Sequence, residues 1–319
     1  MKIIKKLTTK LPILTSLILT TLFYGILRFA SLLAWYLPIT GSEYRAELVY
    51  ELIASIGTVA LALIIGNKKV ITKRKVPFFK GLVPAAYFIG VTAYGMIMQL
   101  SMAIAAREKL HPFIDILCYT ATMILIGVTE EFFFRGIVAE NIFEKYGKSP
   151  AGVWLATILS GFIFGFFHLI NIRSVGGVEN VLCQCIFATF MGMNLCAIYY
   201  RTRNIYVNVF VHAFVDFSGL ITSGIFVSNT AAGIMQSYTL LQVYGALPYL
   251  IMTFIILRPS KMRETLGAAY RKSTSKETLA TALTAIIAGV IIAAICILLV
   301  PYTIKELPNL LDSFKPFFN

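Results

Sequence analysis

Nine apolar stretches, each long enough to cross a bilayer, leave this chain very few folds. They run over residues 11–38, 48–66, 81–106, 113–143, 151–171, 178–200, 204–224, 239–257 and 278–300 of 319. A hydrocarbon core about 30 Å thick needs about 20 helical residues to span it, and at that depth the backbone must satisfy its own hydrogen bonds. The pattern predicts an all-α protein, a polytopic transmembrane helical bundle of nine spans, or eight if one stretch is misjudged. Composition agrees: 58% of residues are hydrophobic and 13% are charged, against about 25% charged in soluble domains. The fourth stretch is too long for one perpendicular crossing, so it is expected to tilt, break or protrude.

A net charge of +13 could suit nucleic acid, but the bases punctuate the spans rather than forming one stripe. They are read as topology signals, and no nucleic-acid partner is expected. With the N-terminus in the cytoplasm, Lys2, Lys5, Lys6, Lys10, the six bases from Lys68 to Lys80 (Lys73 among them), Lys145, Lys148, Arg201, Arg203 and the six from Arg258 to Lys276 fall inside. Outside fall Arg45, Arg107, Lys109, Arg173, Lys305 and Lys315, a ratio of 20 to 6 with Arg28 and Arg135 left within spans. The basic-inside rule then gives an integral membrane protein, placed in the plasma membrane, with a cytoplasmic N-terminus. The first apolar run, about 28 residues, exceeds the short core of a signal peptide and is read as a retained helix. The basic connections themselves suit anionic headgroups.

The five cysteines, Cys118, Cys183, Cys185, Cys196 and Cys296, all lie within spans. They are read as small apolar packers, and Cys183 and Cys185 point about 200° apart on a helix, a poor metal clip. No repeat of 20 to 50 residues stands out, which argues against a solenoid. One membrane domain, 1–319, is expected, with the polar chemistry in a core at about 113–221 and framing helices at 11–106 and 239–300.

That core carries charges where charges are rare. Glu130, Glu131 and Arg135 stand in TEEFFFRG, His168 closes FGFFH, and His212 and Asp216 stand in VHAFVD. Each ionised group at bilayer depth costs about 2.5 to 3.5 kcal/mol on the lenient scale, so such groups face one another or a wet cavity. Glu131 and Arg135 are one helical turn apart and share a face, the acid preceding the base, as an ion pair prefers. Glu130 points about 100° away from Glu131, free to reach a cavity. Phe164 and His168 share a face, as do His212 and Asp216, where the carboxylate could hold the imidazole tautomer. His111, before Pro112, is read as an interface residue.

Depth arithmetic brings these groups level. Glu130 and His168 each stand about 26 Å above the turn EKYGKSP, and His212 about 13 Å above the loop of Arg201 and Arg203. The levels coincide if the hairpin of Glu140, Asn141, Glu144, Lys145 and Lys148 protrudes about 13 Å into the cytoplasm. The site is then expected within the membrane, toward its cytoplasmic half and open to the cytoplasm.

These three motifs, in this order on three spans, resemble the CAAX-protease and bacteriocin-processing enzymes (the Abi family) of intramembrane endopeptidases, over about a third of the chain. The resemblance implies peptide hydrolysis at a membrane-embedded site in a four-helix catalytic core. Substrates would be membrane-associated peptides or proteins, prenylated or otherwise lipid-modified among them. It implies Glu130 as the water-activating base, His168 as binding or activating that water, and His212 as polarising the scissile carbonyl or binding metal. Glu131, Arg135, Phe164 and Asp216 would support them. Whether zinc takes part is left open: Glu130, His168 and His212 would suit a three-ligand zinc site, but a liganding Glu130 could not easily also be the base. The family more often has asparagine where Asp216 stands, and an ionised aspartate cannot donate to an oxyanion. That departure tilts the expectation slightly toward a zinc metalloprotease, and also toward a catalytically degenerate member. The other readings are a non-catalytic scaffold or immunity protein of the same fold, and a proton-coupled transporter, against which the lack of paired Gly/Pro-interrupted spans argues.

Overall fold

All nine apolar stretches are helical. A computed structural model describes residues 7–72, 74–175 and 177–314. Lys2, Lys5, Lys6, Lys73 and Lys315, used above in the charge count, lie outside the described residues. The long helices are α1 (Pro12–Trp35), α2 (Glu43–Ile65), α3 (Ala86–Ala105), α4 (Phe113–Phe133), α5 (Glu140–Tyr146), α6 (Pro150–Phe167), α7 (Val178–Thr202), α8 (Ile205–Gly219), α9 (Leu240–Ile256) and α10 (Ser275–Phe314). By length and composition seven helical segments can cross a membrane, or eight if α9 and the bent helix after it form one span. The stretch expected at 204–224 is shorter than that, since α8 has 15 residues. The fold is thus an all-α polytopic bundle. Among the described residues the only bridge between extended segments is Leu110 with Phe226.

Local chemistry sets the ends. Ser149 caps α6 by accepting the Gly152 N–H at 3.2 Å, with Pro150 in the first turn, where its missing N–H costs nothing. Asn204 caps α8 by accepting the Tyr206 N–H at 3.2 Å. Thr239 and Gln242 form a capping box on α9. Gly66 ends α2 at φ 92°, a backbone state that favours glycine.

The fourth stretch breaks rather than tilts. Between α4 and α5 the backbone widens into a π-helical turn, Phe134–Ala139, directly after the glutamate pair, a distortion frequent at functional sites. Neighbouring segments serve its carbonyls: Asn67 Nδ2, just after α2, donates to Gly136 at 2.9 Å and Ser160 Oγ of α6 to Phe134 at 3.3 Å. Such outside donors let irregular backbone persist at depth. The Phe133 ring stacks on Phe23 of α1, centroids 4.0 Å apart, which pins this turn against the first helix.

Packing centres on α7, the most enclosed of the spans. It lies against α6 and α9, while α4 lies against α2 and α8. The α6–α7 contact depends on Gly165: a Cβ there would sit 2.0 Å from Thr189 Oγ1 and 2.5 Å from the Cys185 carbonyl. Small residues at crossings are how membrane helices approach closely. Gly165→Ala is therefore expected to destabilise the bundle by about 1 to 3 kcal/mol, an overpacking cost. Gly90→Ala on α3, with open space around it, is expected to be neutral or stabilising. Thermal unfolding in detergent compares the two, and equal midpoints would contradict the close-crossing account.

At one end of the bundle the basic connections converge. Glu140 is buried and meets Lys69 Nζ at 3.0 Å and Arg203 Nη1 at 2.5 Å, with Tyr199 donating at 3.3 Å. Glu140 and Asn141 are thus covered by protein rather than extending into water, whereas the turn beyond them is partly exposed.

Candidate active site

The glutamate pair splits its duties because successive helical residues point about 100° apart. Glu131 turns inward and is fully buried; Glu130 turns toward a cavity and keeps 22% of its side chain exposed. Glu131 Oε1 lies 2.8 Å from Arg135 Nη1 and accepts from His212 Nδ1 at 2.7 Å, while Oε2 accepts from Asn208 Nδ2 at 3.1 Å. Asn208 also donates to the Leu195 carbonyl at 2.8 Å. One carboxylate thereby ties α4 to α8 and α7.

Arg135 is wholly enclosed. Its Nη2 donates to the Gly192 carbonyl at 3.1 Å, and its guanidinium lies over the Phe164 ring at 4.5 Å. The Glu131 contact is a close ion contact rather than an aligned hydrogen bond, so Nε and Nη1 lack an aligned acceptor. Phe164 links the three motifs: its ring meets His168 edge-on at 5.0 Å and His212 at 5.6 Å, besides carrying Arg135. The pairing of Phe164 with His168 follows the spacing; its contacts with Arg135 and His212 are tertiary.

The two imidazoles are held differently. His168 Nδ1 lies 3.0 Å from the Phe164 carbonyl, which assigns the proton to Nδ1 and leaves Nε2 free as an acceptor. His212 gives Nδ1–H to Glu131, so Nε2 faces the cavity, 3.4 Å from Glu130 Oε2 and 3.4 Å from Asp216 Oδ2. The carboxylate that fixes the His212 ring is therefore Glu131 rather than the expected Asp216. Asp216 stands on the ring's other side, 26% exposed, facing the space where a reacting group would sit.

Glu130, His168, His212 and Asp216 line one cavity of about 290 Å³. Its wall includes residues that the sequence reading passed over: Glu43, Glu47 and Glu51 from α2, a helix taken as framing, and Thr129, which donates to Glu51 Oε2 at 2.8 Å. The signal for them was present as glutamates recurring every four residues along one helix face. Asn208 left no comparable signal, since its partner is on another helix. Among the described residues no three histidine, cysteine, aspartate or glutamate side chains are grouped to hold a metal ion. Glu130, His168 and His212 are not grouped in that way. All five cysteines are free thiols within helices.

The cavity reaches the bundle end opposite the basic connections. Glu43 and Tyr44 at the start of α2, Asn171 beyond α6, and Leu220 and Ala231 beyond α8 belong to its wall. The sequence reading expects the opening at the basic end, whereas the lining extends to the opposite end. Depth along a helix fixes the level of a side chain but not which end of the bundle splays.

The structure is thus a polytopic helical bundle with carboxylates and imidazoles around an internal cavity. Residues 112–218, from the cap of α4 into α8, match the family described as type II CAAX prenyl endopeptidase Rce1-like. The match covers about a third of the chain, and all three motifs lie within it. Neither the curated proteins nor the solved structures gave a match.

Proposed function

We infer that the protein is an intramembrane endopeptidase that uses Glu130, His168 and His212 on membrane-associated or lipid-modified polypeptides. The convergence of these three side chains on one cavity supports the reading most strongly. In it, Glu130 takes a proton from a water molecule as the water oxygen attacks the scissile carbonyl. His168, held through Nδ1, presents Nε2 to that water. A proton on His212 Nε2 polarises the carbonyl oxygen, and Glu131 holds the ring in register. Collapse breaks the C–N bond, and the leaving amine takes the proton that Glu130 carried, the usual return in general acid–base catalysis.

Asp216 is the informative residue. A carboxylate 3.4 Å from His212 Nε2 faces the developing oxyanion, where an amide would donate instead. Asp216→Asn is therefore expected to preserve or raise the cleavage rate, and chelation is expected to leave both forms active. Purified protein in nanodiscs, incubated with a membrane-peptide panel and analysed by mass spectrometry with and without chelator, checks this. Activity lost on verified metal removal and restored by zinc, together with a severely impaired Asp216→Asn form, would replace this mechanism with a metal-dependent one.

A further inference from the structure

Five carboxyl groups line the cavity, and no lysine or arginine does. Glu43, Glu47 and Glu51 form a stripe on one face of α2. At the rim, Glu43 Oε1 accepts the Ala231 N–H at 2.9 Å. At the floor, Glu51 is 6% exposed, one oxygen held by Thr129 and the other without a hydrogen-bond partner among the described residues. Glu130 and Asp216 complete the wall from α4 and α8.

The His212 ring faces Glu130 and Asp216, and the nearby arginines are engaged elsewhere. Arg135 belongs to Glu131 and the Phe164 ring, and Arg45 pairs with Asp115. Arg28 shares a neighbouring groove with Glu47 but makes no ion pair with it. Among the described residues neither Glu47 nor Glu51 has a basic partner within ion-pair distance. Glu51 is enclosed and Glu47 half-buried, and a carboxyl group held without a cation is costly unless it is protonated or a ligand supplies one. The cavity, at about 290 Å³, is at the small end of ligand pockets, which hold about 300 to 1,000 Å³. It suits a side chain rather than a folded partner.

We propose that the cavity accepts a lysine or arginine side chain of the polypeptide to be cleaved, with Glu47 and Glu51 as the residues that select it. The proposal rests on the endopeptidase reading above and adds a substrate class: membrane-associated polypeptides with a basic residue near the scissile bond. Glu130 is kept for the water, so the selecting acids and the reacting acid stand on different helices. Because the cavity opens opposite the basic connections, the substrate cation meets no competing ring of lysines at its rim.

The test uses the full-length protein in nanodiscs and matched peptides carrying lysine, norleucine or glutamate at one scanned position. Norleucine keeps the methylene stem and lacks the ammonium. The lysine peptide is expected to exceed norleucine in kcat/KM by about tenfold or more, the effect of a desolvated charge pair. Glu47→Gln and Glu51→Gln are each expected to bring that ratio toward one; if Glu51→Gln fails to fold, Glu47→Gln and the peptide comparison still decide. Binding to the Glu130→Gln form, read by fluorescence anisotropy, is expected to show the same preference without turnover. A ratio near one in the unaltered protein, or a preference unchanged in both variants, overturns the proposal. Cleavage without preference leaves the endopeptidase reading standing, whereas binding preference with no cleavage of any peptide supports the acidic subsite and removes that reading.

Discussion

Replacing Glu130 with glutamine is expected to lower the cleavage rate by about 10² or more, the range for losing a general base, while folded yield stays close to that of the parent. Glutamine keeps the shape and removes the basicity. Glu130 has no lysine or arginine partner among the ion pairs of the described residues, and the His212 Nε2 that it faces is 3.4 Å away. It therefore does little to hold the helices together. Single-turnover cleavage and thermal unfolding measured on the same preparation separate the two effects. Retained activity would remove Glu130 from the chemistry, and parallel loss of activity and folding would make it structural.

Arg135→Ala should do the reverse damage and prevent normal folding. Arg135 and Glu131 are both fully buried, and removing one member of such a pair typically costs about 3 to 5 kcal/mol because the other charge is left unpaired. The substitution also empties the space under Phe164, on whose ring the guanidinium lies, and removes the bond to the Gly192 carbonyl. Arg135→Lys should restore little, since an ammonium cannot reproduce a planar group that meets a carboxylate, a carbonyl and an aromatic face together. The monodisperse fraction after detergent extraction is the measurement. Normal yield for Arg135→Ala would contradict the view that this pair holds α4, α7 and α8 together.

What could be read in advance follows the range of the interaction. The apolar runs announced the helices because a bilayer selects for length and hydropathy, both local in the chain. The contacts of Glu131 with Arg135 and of Phe164 with His168 were legible for the same reason, since residues four apart share a helix face. By contrast, the bond from Glu131 to His212 joins α4 to α8, and the periodicity of α8 pointed to Asp216 in its place. The π-helical turn was visible only as a stretch too long for one crossing. Glu47 and Glu51 lie outside the segment that holds the three motifs, because the cavity draws a wall from α2. The side on which the cavity opens depends on how helix ends splay, which no spacing reports.

Cleavage in ¹⁸O-labelled water tests the central claim most directly. The full-length protein and its Glu130→Gln form are incubated in nanodiscs with a cleaved peptide, and the new C-terminal carboxyl groups are weighed by mass spectrometry. If Glu130 activates water for attack on the scissile carbonyl, the parent's product takes up one ¹⁸O per cut and the variant forms almost none. Equal product from both proteins, or cleavage without label, would contradict the account.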